Sequence, residues 1–230
     1  MCGVFLYTKN QKITSPETIL ELLKHRGPDG KKFIDTEEIV IGHRLLAVRD
    51  KPEKSIQPIA SFNKRYLLSF NGNIWNLKTL KDKYNLDKNL VLDTTVLIQI
   101  IEKVGTEFIN EIRGIFAILL YDTQKRIVYA FRDNTGQIPL YYYYKENKFF
   151  ACSEIDTIYK SLKISPEIDE KEVQNSFRFL NKIGYKTIYQ NIFKLIPGEM
   201  IELNVKTNTF NKKLFKPKIE KNCSSLFDYV

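Results

Sequence analysis

Apolar residues along the chain fall into short runs and into helical stripes, and their order predicts a mixed α and β domain. Residues 2–7 form an apolar run too short for a helix, which predicts a buried first strand. Ser15 and Pro16 then form a helix-start pattern ahead of apolar residues at helical spacing, and the glycine- and proline-rich residues 25–30 end that helix. The chain is therefore expected to begin inside the fold.

Later segments repeat both patterns. Strands are predicted at 38–48, 65–70, 114–121, 126–131, 140–144, 148–152, 186–189 and 199–204, and helices at 77–84, 93–104, 154–162 and 169–180. Asn71 and Gly72 are predicted to end the strand at 65–70 as a tight turn, and Asp93 is predicted to cap the helix at 93–104. Tight strand-to-strand connections favour an α+β domain with antiparallel sheets over a doubly wound parallel sheet.

The last residues suggest that a second unit begins near the end of the chain. Residues 224–230 contain a capping serine and one apolar helical turn, and then the sequence stops. We therefore expect a domain over residues 2–204, followed in 205–230 by a linker and the start of a missing C-terminal domain.

Composition narrows the class of protein. The 230 residues are 43% apolar and 27% charged, which suits a folded domain with a substantial core. No apolar stretch approaches the roughly 18 to 20 residues of a membrane-spanning helix, and no signal peptide is visible, so a soluble cytoplasmic protein is expected. The net charge of +9 comes mainly from dispersed lysines, which argues against a nucleic-acid partner. Three cysteines and two histidines without metal-like spacing predict neither a disulfide framework nor a metal site.

Cys2 is the first candidate for chemistry. Removal of Met1 would leave a cysteine whose own α-amine can accept the thiol proton, because an α-amino group has a pKa of about 7.7 to 8.0. By itself Cys2 is better explained as a small apolar residue at the start of a strand. Attack on an acyl group also requires oxyanion donors, which the Asn71 amide and the Gly72 N–H can supply, although Asn-Gly is more often an ordinary turn.

Several motifs, in order along the chain, resemble one family. They are residues 1–3 (MCG), 25–29 (HRGPD), 42–44 (GHR) with 57–58 (QP), 70–76 (FNGNIWN), 93–97 (DTTVL), 114–117 (GIFA), 132–142 (RD to PLYY) and 195–198 (LIPG). In this order the chain resembles the N-terminal glutaminase domain of asparagine synthetase-type enzymes, which are class II, N-terminal-nucleophile glutamine amidotransferases. The resemblance extends to about Asn204 and implies a four-layer αββα sandwich of two antiparallel sheets.

The same resemblance implies roles for individual residues. Cys2 would attack the side-chain amide of glutamine while its α-amine moves the proton, and Asn71 and Gly72 would form the oxyanion hole. Asp93 would bind the α-ammonium of the substrate, which is compatible with a helix-capping role. Asn73 stands where the family has a glutamate, beside the nucleophile, and we include it among the candidate substrate-binding residues.

One departure from the family concerns the carboxylate of the substrate. Leu45 stands where the family carries the arginine that grips the α-carboxylate of glutamine. A charged hydrogen bond contributes roughly 1.5 to 3 kcal/mol, so its loss is expected to weaken glutamine binding by about tenfold to more than a hundredfold. Arg44 is the nearest replacement and a candidate substrate-binding residue. Because adjacent side chains of a strand point to opposite faces, it would need a bulge or a register shift.

The expected activity is hydrolysis of glutamine to glutamate and ammonia. The ammonia would serve a synthetase domain or subunit that amidates aspartate or another carboxylate, such as a sugar acid. The Ser-Gly-Gly-x-Asp-Ser ATP loop of that half does not occur in this sequence, so ATP and magnesium are expected only in the missing domain or partner, and no cofactor in this chain. No membrane partner is expected, and a homo-oligomer is left open. Two alternatives remain: a catalytically impaired binding or scaffold module, and an amidohydrolase acting on a different amide.

Overall fold

The computed structural model describes residues 1–48, 51–179 and 184–216, and the strands within them form two six-stranded antiparallel sheets. The strands are β1 (Gly3–Thr8), β2 (Gly30–Asp35), β3 (Ile39–Leu45), β4 (Ile59–Ala60), β5 (Tyr66–Ile74), β6 (Gly114–Asp122), β7 (Ile127–Arg132), β8 (Tyr141–Lys145), β9 (Lys148–Cys152), β10 (Ile192–Lys194), β11 (Glu199–Asn204) and β12 (Thr209–Leu214). The helices are α1 (Pro16–Leu22), α2 (Pro52–Ser55), α3 (Leu77–Lys83), α4 (Asp93–Val104), α5 (Ile155–Leu162) and α6 (Glu170–Phe179), with a 3₁₀ helix over Gly105–Asn110.

The two sheets stack face to face between helices. The first sheet has the order β10-β8-β9-β1-β3-β2 and the second β12-β11-β7-β6-β5-β4. Their inner faces share one apolar core, to which Val4 and Ile41 contribute from the first sheet and Ala117 and Leu119 from the second. Helices α1 and α5 cover the outer face of the first sheet, and α3 and α4 that of the second. The predicted α+β, four-layer αββα sandwich is confirmed.

Strand β5 corrects one local prediction. It continues through Asn71 and Gly72, which pair in register with Ala117 and Phe116 of β6, so these residues form no turn. A Cβ atom on Gly72 would lie 2.1 Å from the carbonyl oxygen of Ile115. Glycine is therefore required here for the close approach of two strands, and tertiary pairing overrides the turn preference of the dipeptide.

None of the four edge strands was predicted: β10 and β4 have only three and two residues, and β2 and β12 are longer. Strand β2 borders the first sheet, and β12 pairs with β11 along its whole length, so regular structure extends beyond residue 204, where it was expected to end. Both strands are largely polar and exposed, which removes the alternation that marks a half-buried strand. The predicted strand at 186–189 makes only isolated bridges. The linker and helix start predicted toward the end of the chain lie mostly outside the described residues and stay predictions.

None of the described helices is both long enough and apolar enough to cross a lipid bilayer.

Candidate active site

A cavity of about 420 Å³ lies where the start of β1, the end of β3 and the later half of β5 come together. Cys2, Asn71, Gly72, Asn73 and Asp93 all line it. Residues far apart in sequence thus share one space because these strand ends meet the first turn of α4. The cavity contains the predicted nucleophile, both predicted oxyanion donors and two of the predicted substrate-binding residues.

The Cys2 thiol is held by one backbone segment. The Leu46 N–H donates to Cys2 Sγ at 3.3 Å, and Sγ lies 3.7 Å from the Leu46 carbonyl oxygen, to which the thiol can donate. Burial raises the pKa of the thiol, while the Leu46 N–H, the N-terminal charge and Arg26 act in the opposite direction. The resting form is therefore the thiol, and attack needs a base. An α-amine on Cys2 itself, exposed by removal of Met1, meets that need.

The backbone of Cys2 is anchored by residues that the sequence analysis assigned no role. Arg26 Nε donates to the Cys2 carbonyl oxygen at 3.0 Å, and Arg26 Nη1 donates to Glu154 Oε1 at 3.2 Å. His25 Nε2 lies 2.8 Å from the same Glu154 oxygen. This chain of contacts ties the residue that carries the nucleophile to the loop after α1 and to the start of α5.

Asp29 fixes the segment that contacts the thiol. Its Oδ2 accepts the Ala47 N–H at 2.8 Å, and its own N–H donates to the Leu45 carbonyl oxygen at 3.0 Å. Leu46, whose N–H points at Cys2 Sγ, lies between these two anchor points. The family resemblance includes residues 25–29, but the contacts of this loop depend on the tertiary fold and were not predicted.

Asn71 lines the cavity and carries a buried donor without a described partner. Its side chain is 4% exposed, and no described residue accepts a hydrogen bond from its Nδ2. A buried donor without a partner costs about 1 to 3 kcal/mol, so its retention calls for an explanation. Position and chemistry suit a donor that is used only when negative charge develops on a bound substrate.

The Gly72 N–H points toward the same space. In an antiparallel strand, the N–H groups of alternate residues point to the same edge. The Phe70 N–H donates to Gln57 Oε1 at 2.8 Å and the Ile74 N–H to Asp93 Oδ2 at 3.0 Å, both away from β6. Gly72 lies between them, beyond the part of β5 that pairs with β4. Its N–H is therefore directed at the cavity from the edge of β5.

Asp93 supplies a carboxylate to the cavity wall. It is the first residue of α4, and the N-cap is Leu92, so the predicted capping role of Asp93 is wrong. Its carboxylate reaches instead across to β5, where Oδ2 accepts the Ile74 N–H. The N-terminal end of a helix favours a negative charge, which suits a carboxylate that is to pair with an ammonium group.

Leu45 and Arg44 lie on opposite faces of β3. Leu45 is 4% exposed and lines the cavity, whereas Arg44 does not. Arg44 faces α1. The pKa of the Glu21 carboxyl on that helix is lowered mainly by Lys31 and, more weakly, by Arg44. Strand β3 pairs with β1 without a bulge from Ile39 to Arg44. The alternation of the strand is not interrupted, so Arg44 lies outside the cavity and the bulge that it would need to replace the family arginine is absent from this part of β3.

Comparison with known proteins identifies the domain. Residues 1–215 match the family described as "Glutamine amidotransferase domain". The chain belongs to this family. As a glutamine amidotransferase domain it is 30% identical over 223 residues to "Putative asparagine synthetase [glutamine-hydrolyzing] 2" of Methanocaldococcus jannaschii, covering 85% of this chain and 42% of the relative. It is 29% identical over 168 residues to "Asparagine synthetase B [glutamine-hydrolyzing]" of Escherichia coli K12, covering 69% of this chain and 30% of the relative.

A solved structure supports the fold of this glutamine amidotransferase domain. The glutamine phosphoribosylpyrophosphate amidotransferase from B. subtilis superposes with a TM-score of 0.65 and 18% identity, covering 95% of this chain and 50% of that chain. The predicted family and its fold are confirmed. The chain spans less than half the length of these two curated relatives.

Proposed function

We propose that this domain hydrolyses the side-chain amide of glutamine at Cys2, releasing glutamate and ammonia. The observation that carries the proposal is that Asn71, whose Nδ2 is a buried donor without a described partner, lines the same cavity as Cys2. A nucleophile with a neighbouring, unused donor is the arrangement that acyl transfer requires.

The first half of the reaction forms a thioester. The α-amine of Cys2 takes the thiol proton, and Sγ attacks the amide carbon. The resulting oxyanion accepts hydrogen bonds from Asn71 Nδ2 and the Gly72 N–H. As the C–N bond breaks, the α-ammonium returns its proton to the leaving nitrogen, which departs as ammonia.

The second half consumes water. The α-amine takes a proton from a water molecule, whose oxygen attacks the thioester carbon, and the same two donors hold the second oxyanion. The C–S bond breaks, Cys2 regains its proton, and glutamate leaves. Asp93 pairs with the α-ammonium of the substrate throughout, and Asn73 lines the same wall.

The ammonia is proposed to serve a synthetase domain or partner subunit. The two relatives named as glutamine-hydrolysing asparagine synthetases are more than twice as long as the matched region, which leaves room for such a unit in those proteins. Here the acceptor is proposed to be aspartate or another carboxylate, activated with ATP and magnesium outside this chain.

The test is ammonia and glutamate release from glutamine by the purified protein. Cys2→Ala should lower the rate by on the order of 10³-fold or more, because it removes the nucleophile. Cys152→Ala is the matched control, since Cys152 is fully buried in β9, outside the cavity, and should leave the rate nearly unchanged. Full activity in Cys2→Ala would contradict the proposal.

A further inference from the structure

The charged side chains among the described residues that line the cavity are of one sign. Of the described residues that line it, Asp93 has the only charged side chain. The part of the wall formed by residues 45–48 is apolar: Leu45, Leu46, Ala47 and Val48. The cavity can therefore pair with a cation on the substrate, and the described wall offers no cationic side chain to an anion.

Three basic side chains of neighbouring segments are placed elsewhere. Arg26 donates to the Cys2 carbonyl oxygen and to Glu154 and does not line the cavity. Arg44 faces α1. His43 is fully buried with Nδ1 3.0 Å from Ser69 Oγ, and burial lowers the pKa of the imidazole to about 3, so it is neutral.

A free α-carboxylate is poorly suited to such a site. Once bound, it would lose hydration against the apolar wall without gaining a charged partner among the described side chains of that wall, and it would share the cavity with the Asp93 carboxylate. If the carboxyl group is joined to another group as an ester or a peptide bond, this charge is removed while the α-ammonium that pairs with Asp93 is kept.

The wall also offers a path out of the cavity. The exposed fraction of the side chain rises from 4% at Leu45 to 82% at Val48, so residues 45–48 lead from the interior to the surface. A group attached to the substrate carboxyl can follow this segment into solvent.

We propose that the preferred substrates are glutamine residues with a free α-amine and a masked α-carboxyl group, such as the N-terminal glutamine of a peptide. This inference rests on the proposed function, since it assigns the substrate class of the same Cys2 site. Asp93 pairs with the α-ammonium, Cys2 attacks the side-chain amide, and the masked carboxyl lies along residues 45–48. Water completes the reaction, so the products are ammonia and an N-terminal glutamate.

The experiment compares glutamine, glutamine methyl ester and the dipeptide Gln-Gly at about pH 6.5, where all three α-amines are mostly protonated. Mass spectrometry measures the product with a side-chain carboxylate, because spontaneous cyclisation of N-terminal glutamine also releases ammonia. We expect kcat/KM for the ester and the dipeptide to exceed that for glutamine by about tenfold or more, mainly through KM. Equal rates for ester and dipeptide mean that only the charge matters, and a faster dipeptide means that the wall also binds the next residue.

Variants at Leu45 test the assignment of the wall. Leu45→Arg should shift the preference toward glutamine by about tenfold or more, because it introduces a cation. Leu45→Met changes shape without charge and should leave the preference unchanged. A wild-type preference for glutamine would overturn this inference and leave the proposed function standing. Arg49→Ala, at the basic residue that follows Val48 in the sequence, would then show whether that side chain binds the carboxylate. No hydrolysis of any of the three would overturn the proposed function, and this inference with it.

Discussion

Asn71→Ala should reduce turnover strongly while leaving the ground state almost intact. In the free protein Asn71 Nδ2 has no described acceptor, so truncation breaks no hydrogen bond there. On the reaction path the oxyanion loses one of its two donors. Loss of one such donor lowers kcat by about 10² to 10³, which corresponds to about 2.7 to 4 kcal/mol of transition-state stabilisation. KM should change little, because the oxyanion exists only on the reaction path.

The assay is steady-state glutamate formation together with thermal unfolding of each variant. Asn71→Asp should lose at least as much activity, because it replaces the donor with a negative charge at nearly the same volume. Ser69→Ala is the matched control: Ser69 precedes Asn71 by two residues on the same face of β5, but lies outside the cavity and bonds to His43 and the Gly42 carbonyl. It should lower Tm and spare kcat.

Two results would refute the reasoning on Asn71. One is a kcat for Asn71→Ala within about threefold of wild type, which falls far below the loss of an oxyanion donor. The other is a loss of kcat that merely follows a loss of Tm, as Ser69→Ala would reveal. Either would make Asn71 a structural residue of β5.

Three further predictions concern the frame of the site. Asp29→Ala should lower kcat more than it raises KM, because the carboxylate that holds the Ala47 N–H is lost; Asp29→Asn, which keeps an acceptor oxygen, should recover most of the rate. Gly72→Ala should strongly destabilise the protein in thermal unfolding, since its Cβ would lie 2.1 Å from a backbone oxygen of β6; an unchanged Tm would contradict the strand pairing. A glutamine-mimicking electrophile should label Cys2 and not Cys152, because the Cys152 thiol is fully buried and burial raises its pKa to about 12. Peptide mapping that finds equal labelling of the two would contradict the site.

The interior strands were predicted well because buried strands appear in the sequence as apolar runs. The hairpins β6–β7 and β8–β9 consist of apolar runs joined by short polar connections, and both were predicted nearly to the residue. Edge strands β2 and β12 have no such apolar run, because their side chains are largely exposed and their pairing depends on a neighbouring strand.

In the candidate site, too, some features were predicted from the sequence and others depend on the tertiary fold. The resemblance brought Cys2, Asn71 and Asp93 together, and the structure places all three around one cavity. The contact from Arg26 to Glu154 joins residues 128 positions apart, and no spacing rule could reveal it. The local preference of Asn-Gly for turns also misled, because pairing between β5 and β6 is decided by the tertiary fold.

Trapping the acyl intermediate tests the central claim most directly. Protein quenched in acid during glutamine turnover should be measured by intact-mass spectrometry and peptide mapping. The account predicts a mature chain that begins at Cys2 and carries a γ-glutamyl thioester on its sulfur, which hydroxylamine removes. A chain that retains Met1 and still hydrolyses glutamine, or an adduct on any residue other than Cys2, would contradict it.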